Sequence, residues 1–169
     1  MALTQQLARV SPEYLARCRR NAEDAPDGDP GWDPPAEDAL DLNWAIWGLE
    51  RYLRRVAADP VLVGAVERSC EGTEVLRFLD HETVYDGFGD PPALLAPEAV
   101  AEVSRLLDAV DVDAMLARLP GDTEEAARMC GFDGFHGDLT AYLRGQFTAL
   151  RDFHRGAADR GLAVVTWID

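Results

Sequence analysis

The sequence predicts an α+β domain, with a small mixed or antiparallel sheet whose C-terminal strand is central and with helices packed mainly on one face. Two observations near the C-terminus lead to this prediction. The apolar residues of the last long segment recur three and four positions apart, as on one face of a helix. The residues that follow Gly161 are apolar at consecutive positions, which is typical of a strand covered on both faces.

A long helix before Gly161 is predicted from six apolar positions that share one helical face. They are Leu139, Leu143, Phe147, Leu150, Phe153 and Ala157. Arg160 falls in the last turn and Gly161 follows it, as expected for a helix end whose next residue turns left-handed. The closing strand is predicted over 162–168, and we expect the N-terminal strand to lie beside it.

The N-terminal part of the chain predicts a strand, a helix and a long loop. Residues 2–10 alternate weakly between apolar and polar, which favours an opening strand. Ser11 and Pro12 are typical of an N-cap and a first helical position. The stretch 21–38 is dense in Asp, Pro and Gly and predicts a loop, whose Trp32 we expect to pack onto the core.

A second strong helix is predicted after Asp41, which we interpret as its N-cap. Its apolar stripe comprises Leu42, Ala45, Ile46, Leu49, Leu53 and Val56. Trp44, Trp47 and Arg51 fall beside that stripe. Pro60 then ends this helix and begins a shorter one.

The middle of the chain predicts one or two strands followed by shorter helices. Partial alternation over 72–85 favours the strands, and the density of Gly, Asp and Pro over 86–92 predicts a loop. Further helices are predicted to begin at Pro97, at Val112, and at Asp122 or Thr123. A glycine-rich loop over 131–137 precedes the closing helix.

The net charge argues against whole classes of ligand. Sixteen basic residues, all of them arginine, stand against 31 acidic residues, which gives a net charge of −15 and a pI near 4.4. A field of this sign disfavours nucleic acid, whose phosphates need a basic patch, and it disfavours an anionic membrane surface. Solubility alone explains such acidity, and a docking surface for a basic protein partner is the other explanation.

Length and cysteine content predict a single domain over residues 1–169 in a reducing cytoplasm. The sequence contains no run of 18 apolar residues, and its start has no basic segment followed by a long apolar one. The three cysteines, Cys18, Cys70 and Cys130, are scattered along the chain. A disulfide framework is therefore not expected.

The motifs predict no catalytic, metal or cofactor site. No two of the three histidines, His81, His136 and His154, are at helical spacing. Cys130 and His136 are close in sequence, but a zinc site needs a second pair of ligands at similar spacing, and the sequence shows none. The sequence has neither a G-x-S-x-G nucleophile motif nor a phosphate-cradling loop with Lys and Ser or Thr. We expect neither a cofactor nor a bound metal.

Aromatic density beside a glycine-rich loop predicts a candidate binding pocket. Its predicted lining residues are Trp44, Trp47, His81, Tyr85, Asp86 and Asp90. The competing interpretation is that the two tryptophans widen the buried face of their helix, which is the commoner reason for such a pair.

Several motifs also occur in a characteristic order along the chain. They are the early strand followed by Ser11-Pro12-Glu13, the helix with Leu40-Asp41-Leu42, Trp44 and Leu49, the segment LLAPEAVAEV at 94–103, and the pattern F-x-x-L-R-x-F-x-x-x-A-A-x-x-G-L-A-V at 147–164. In this order they resemble the bacterial DUF1877 (YfbM-like) family over nearly the whole chain. The resemblance implies a small soluble α+β protein of unknown function and carries over no catalytic residues. Asn43-Trp44 and the acidic loop 21–38 depart from the family pattern.

Three functional hypotheses follow. The first is a non-enzymatic protein-interaction module with a basic partner, for example an immunity or inhibitor protein that neutralises a basic toxin. The second is a small-molecule-binding domain or weak enzyme that uses the predicted aromatic pocket near Trp44, Trp47 and the loop 85–90. The third is a homodimer that pairs through the tryptophan-bearing helix or loop.

Overall fold

The computed structural model describes residues 3–169 and shows the predicted α+β class, with five strands and seven α-helices in that part of the chain. The strands are β1 (Gln5–Val10), β2 (Ala39–Asp41), β3 (Glu74–Val75), β4 (Ala93–Leu95) and β5 (Ala163–Ile168). The helices are α1 (Pro12–Asp24), α2 (Ala45–Arg55), α3 (Pro60–Cys70), α4 (Pro97–Asp108), α5 (Val112–Leu116), α6 (Thr123–Cys130) and α7 (Leu139–Asp159).

The sheet is antiparallel, in the order β2-β1-β5-β4-β3, so the C-terminal strand is central as predicted. β1 pairs with β5 from Gln5 opposite Ile168 to Val10 opposite Ala163, which confirms the predicted neighbourhood of the two terminal strands. The predicted start of the opening strand at Ala2 lies outside the described residues.

Two cores lie on opposite faces of β5, because its side chains alternate. Val164 belongs to the larger core, which α2 to α7 cover, and Val165 belongs to a smaller one beneath α1. All six positions predicted for the buried face of α7 are buried. The helices therefore pack mainly on one face of the sheet, as predicted.

Local chemistry sets the helix ends largely where the sequence placed them. The Tyr14 backbone N–H donates to Ser11 Oγ at 3.1 Å, which caps α1, and Gly161 turns left-handed after α7 with φ 64°. Asp122 caps α6 in the same way as Ser11 caps α1. No helix in the described part of the chain is long and apolar enough to cross a bilayer.

The prediction that Asp41 caps the second helix is wrong. Asp41 belongs to β2, where it lies opposite Gln6, and its Oδ1 accepts a hydrogen bond from the Asn43 N–H. Asn43 then adopts a left-handed conformation with φ 49°, and α2 begins only at Ala45. Strand pairing with β1 thus takes Asp41 out of the helix, and the turn at Asn43 places Trp44 at the exposed start of α2.

The loop predictions need smaller corrections. The region 72–85 contains only β3, because residues 77–79 form a 3₁₀ turn and residues 83–85 form no strand. The predicted loop 21–38 is shortened by α1 at one end and by a 3₁₀ turn at the other. Trp32 packs as predicted, edge-on to Tyr14 and Trp167 with ring centroids 5.5 and 5.9 Å away.

Candidate functional site

A cleft of about 950 Å³ opens between α2, the end of α6 and the start of α7. We call it the aromatic cleft and define it by Trp44, Trp47, Arg51, Phe132, Phe135 and Tyr142. Trp44 is the N-cap of α2, and Trp47 and Arg51 follow it at spacings of three and four positions, so the three residues form one stripe along the helix, next to the buried stripe that faces the core.

One wall of the cleft is a cluster of three aromatic rings. Phe132 and Phe135 come from the loop after α6, and Tyr142 comes from the second turn of α7. The Tyr142 ring centroid lies 5.4 Å from that of Phe135 and 6.3 Å from that of Phe132. These separations are those of favourable aromatic pairs, so the wall is a packed unit.

The other wall presents the two tryptophans predicted from the sequence. Trp44 is 46% exposed and Trp47 is partly buried against the larger core. The interpretation that the tryptophans widen the buried face of α2 therefore does not hold for the exposed Trp44, whereas Trp47 does pack against the core. An exposed tryptophan beside a concave aromatic surface is typical of a contact residue in binding sites.

Arg51 supplies positive charge to the same cleft. Its guanidinium lies against the left-handed Gly131, where a Cβ atom would come within 2.4 Å of Arg51 Nη1. This position is at the C-terminal end of α6, which favours a cation. Arg51 makes no ion pair or hydrogen bond among residues 3–169, so its charge is available to a ligand.

A second cavity, of about 440 Å³, is also lined by Trp47. We call it the acidic pocket and define it by Gln5, Trp47, Glu50, Glu71, Asp90 and Thr166. The sheet supplies its base, α2 and the end of α3 supply its walls, and the loop before β4 supplies its rim. Trp47 therefore belongs to both sites.

A hydrogen-bond network holds the base of the acidic pocket. Gln5 Nε2 donates to Thr166 Oγ1 at 2.6 Å and to the Trp167 carbonyl at 3.0 Å, and Thr166 Oγ1 donates to the Cys70 carbonyl at 2.9 Å. Gln5 and Thr166 are both buried. The two polar side chains are therefore held rigidly at the end of the sheet.

The electrostatics of the acidic pocket disfavour further negative charge. Burial raises the pKa of Glu50, and the negative charges of Glu67 and Glu71 raise it further, while Arg54 opposes them. Burial likewise raises the pKa of Cys70 to about 12, with Glu50 and Glu71 acting in the same direction. The Cys70 thiol is therefore protonated at neutral pH and is a poor nucleophile.

The structure divides the residues predicted to share one pocket. Trp44 and Trp47 line the aromatic cleft, and Asp90 joins Trp47 in the acidic pocket. Tyr85 packs in the smaller core on the opposite face of the sheet, where its hydroxyl donates to Asp80 Oδ1 at 2.8 Å. The prediction of a single pocket is therefore wrong for Tyr85, because β5 separates the two faces.

His81 and Asp86 also lie apart from the tryptophans. His81 Nδ1 is 2.9 Å from Thr83 Oγ1, which closes a local turn. The Asp86 N–H donates to Asp169 Oδ1 at 2.9 Å, beside the end of β5. Neither residue lines the aromatic cleft or the acidic pocket, so both are removed from the candidate site.

Sequence reasoning missed the partners of the tryptophans. The glycine-rich segment 131–137 also contains Phe132 and Phe135, and the alternation of glycine with these two residues is the signal of an aromatic loop. Gln5, Glu50 and Glu71 belong to no sequence motif.

Within residues 3–169 no three His, Cys, Asp or Glu side chains are placed to hold a metal ion. Comparisons with protein-family models, curated proteins and solved structures find no match to the chain.

Proposed function

We propose that this protein is a non-enzymatic interaction module that binds a basic protein partner, as an immunity or inhibitor protein does. The observation that carries the proposal is the exposed Trp44 at the edge of the open aromatic cleft. Interface energy concentrates in aromatic and arginine side chains, and the cleft offers five aromatic rings with Arg51 beside them. The cleft is then the anchor point of the interface.

Net charge supports a basic partner. A chain of net charge −15 attracts a cationic protein over distances beyond contact, so association is fast at low salt. Screening by salt shortens this range to about 8 Å at physiological ionic strength. The partner would therefore be recognised by charge at long range and by the aromatic cleft at contact.

Cysteine chemistry supports the non-enzymatic part of the proposal. Burial raises the pKa of all three thiols, to about 12 for Cys70 and about 11 for Cys130, and upward for Cys18 as well. A reactive cysteine needs the opposite shift. These thiols pack as small apolar side chains.

The proposal is tested by capturing partners from lysate of the host on the immobilised protein at low and at high salt. The expected result is a basic protein retained at low salt and released at high salt. Recovery of no partner at low salt would contradict the proposal. A monomeric mass at micromolar concentration would also exclude the homodimer that the exposed tryptophan-bearing helix suggests.

A second candidate function is the binding of a small molecule in the aromatic cleft. The observation in its favour is the cleft volume of about 950 Å³, since ligand sites commonly span roughly 300–1,000 Å³ with mostly apolar linings. Arg51 would bind an acidic group of such a ligand. A metabolite screen read by tryptophan fluorescence tests it, and a ligand lost on Trp44→Ala substitution is the expected hit.

Membership in the DUF1877 family and a cytoplasmic location stay predictions. The order of the motifs along the chain supports the first, and the scattered cysteines, all of them free in the structure, support the second. Neither one alters the assignment of the aromatic cleft as the recognition surface.

A further inference from the structure

The acidic pocket is lined by carboxylates, and no positively charged side chain among residues 3–169 lines it beside them. Its charged side chains are the carboxylates of Glu50, Glu71 and Asp90, and no arginine lines it. Arg54 approaches Glu50 only to 3.9 Å and binds Glu67 instead, at 2.5 Å. The negative charge inside the pocket is therefore only partly compensated by the protein.

Gln5 adds a neutral acceptor at the base of the pocket. Only 4% of the surface of Gln5 is exposed. Its amide nitrogen donates its two hydrogens to Thr166 Oγ1 and to the Trp167 carbonyl. The carbonyl acceptor fixes which end of the amide is nitrogen, because a carbonyl only accepts. No residue among 3–169 donates a hydrogen bond to Gln5 Oε1, and Gln5 lines the cavity.

The arrangement suits an organic cation better than a metal ion. No three acidic, cysteine or histidine side chains in the described part of the chain converge at metal-binding distances. A cavity of about 440 Å³ has room for a longer group with several N–H donors. Trp47 in its wall adds an aromatic surface, which attracts a guanidinium more strongly than an aliphatic wall would.

We propose that the acidic pocket binds the guanidinium group of an arginine side chain presented by the basic partner, an inference that rests on the proposed function. The planar guanidinium distributes five N–H donors, which match carboxylates on two walls and Gln5 Oε1 at the base. A guanidinium bound there offsets the repulsion between the negative charges of Glu50 and Glu71. Trp47 joins this specificity pocket to the aromatic cleft, so both form one recognition surface.

The test uses two short peptides, acetyl-Gly-Arg-Gly-amide and its citrulline analogue, which has nearly the same shape without the charge. Binding to the whole protein is measured by NMR titration of the tryptophan indole N–H resonances. The Arg peptide is expected to bind at least about tenfold more tightly than the citrulline peptide, because charge-assisted hydrogen bonds are the stronger ones. Equal binding of the two peptides would overturn the inference.

Paired variants separate the pocket from the overall charge. The double variant Glu71→Gln with Asp90→Asn should weaken binding of the Arg peptide at least about tenfold. The control double variant Glu23→Gln with Glu82→Gln removes the same charge at exposed positions outside the pocket and should change binding less than about twofold. Equal weakening in both variants would show a general field effect and would contradict a specific site.

The outcomes also separate this inference from the proposed function. A partner protein that is captured at low salt equally well by wild type and by the Glu71→Gln/Asp90→Asn variant would leave the proposed function standing and overturn the arginine pocket. Binding of the Arg peptide in the absence of any captured partner would support the pocket and contradict the proposed function.

Discussion

The ring of Phe132 lies against the backbone of α2 at Gly48, where a Cβ atom would come within 2.0 Å of Phe132 Cζ. Two further ring carbons lie 2.5 and 2.7 Å from the same position. Gly48 is buried inside a helix, so the glycine there serves to make space. Phe132 can take its place in the aromatic wall of the cleft only because residue 48 has no side chain.

Replacing Gly48 by alanine should displace Phe132 and remodel the aromatic cleft. The added methyl group meets a ring that cannot yield without leaving its cluster with Phe135 and Tyr142, so we expect a loss of about 1–3 kcal/mol in the free energy of unfolding. Urea unfolding measures the loss, and the tryptophan emission maximum reports the change in the cleft.

Gly145→Ala is the matched control for this substitution. Gly145 lies in α7, and a Cβ atom there would meet no other atom within 4 Å. The alanine should therefore stabilise the helix by about 0.5–1 kcal/mol through its higher helix propensity. A Gly48→Ala protein that is as stable as the Gly145→Ala protein would refute the packing described for Phe132.

Asp38 joins three distant parts of the chain. Its Oδ1 accepts from Arg9 Nε at 2.7 Å and from Arg160 Nη1 at 2.5 Å, and its Oδ2 accepts from Arg160 Nη2 at 3.2 Å. The hydrogen bonds from Arg160, and then those from Arg9, hold the pKa of Asp38 below its ordinary value against the effect of burial. The carboxylate ties the start of β2 to β1 and to the end of α7.

Asp38→Asn should lower the free energy of unfolding by about 1–3 kcal/mol, because two arginines lose a charged partner that is only 11% exposed. Arg160 is half exposed, so water replaces part of its interaction and keeps the loss in this range. Thermal and urea unfolding at neutral pH measure it.

The control for Asp38 is Asp113→Asn. Asp113 pairs with Arg144 at the surface, where the two side chains are 78% and 44% exposed. Its loss should cost less than about 0.5 kcal/mol. Equal costs for the two substitutions would mean that burial of the Asp38 cluster contributes nothing.

His154 makes the stability of the protein depend on pH. The side chain is fully buried, and its Nε2–H donates to the Ser69 carbonyl at 2.9 Å, while Nδ1 has no donor among the described residues. Burial lowers the pKa of His154 from 6.5 to about 4, although the hydrogen bond to Ser69 opposes the shift. The folded protein therefore holds this histidine neutral.

The sign follows from proton counting. Between pH 6.5 and pH 4 the unfolded chain binds a proton at His154 and the folded chain does not, so stability falls as the pH falls through this window. The expected contribution is a loss of about 2–3 kcal/mol between pH 7 and pH 4.5. In a His154→Gln variant, which keeps an N–H donor without titrating, that part of the pH dependence should disappear. Identical pH profiles for the two proteins would contradict the assignment.

The sequence predicts the helices and the central strand well because these elements carry local signals. The periodicity of α7, the cap at Ser11 and the consecutive apolar residues of β5 each act within a few residues. The strands β2 and β4 escape such reasoning, because a three-residue strand has no periodicity and exists only through its partner. Asp41 shows the consequence, since pairing with β1 overrides its tendency to cap a helix.

The sequence predicts only the part of the candidate site that carries a local signal. Trp44 and Trp47 are recognisable beside the buried stripe of one helix. Phe132 reaches them only because the tertiary fold brings the loop after α6 onto Gly48, and no local pattern reports that approach. Aromatic density beside a glycine-rich loop predicts that Tyr85 shares a pocket with the tryptophans, but the sheet that separates them is a long-range feature.

Loss of the Trp44 side chain tests the central claim most directly. Trp44→Ala should leave the free energy of unfolding nearly unchanged, because the ring is 46% exposed. The same substitution should weaken binding of the captured basic partner by at least about 2 kcal/mol, roughly 30-fold in affinity. Phe88→Ala is the control, since Phe88 is an exposed ring (60%) outside the cleft and should have little effect on affinity. Affinities measured for wild type and both variants at low salt decide the matter: a selective loss for Trp44→Ala supports recognition through the aromatic cleft, and equal affinities for all three proteins would contradict it.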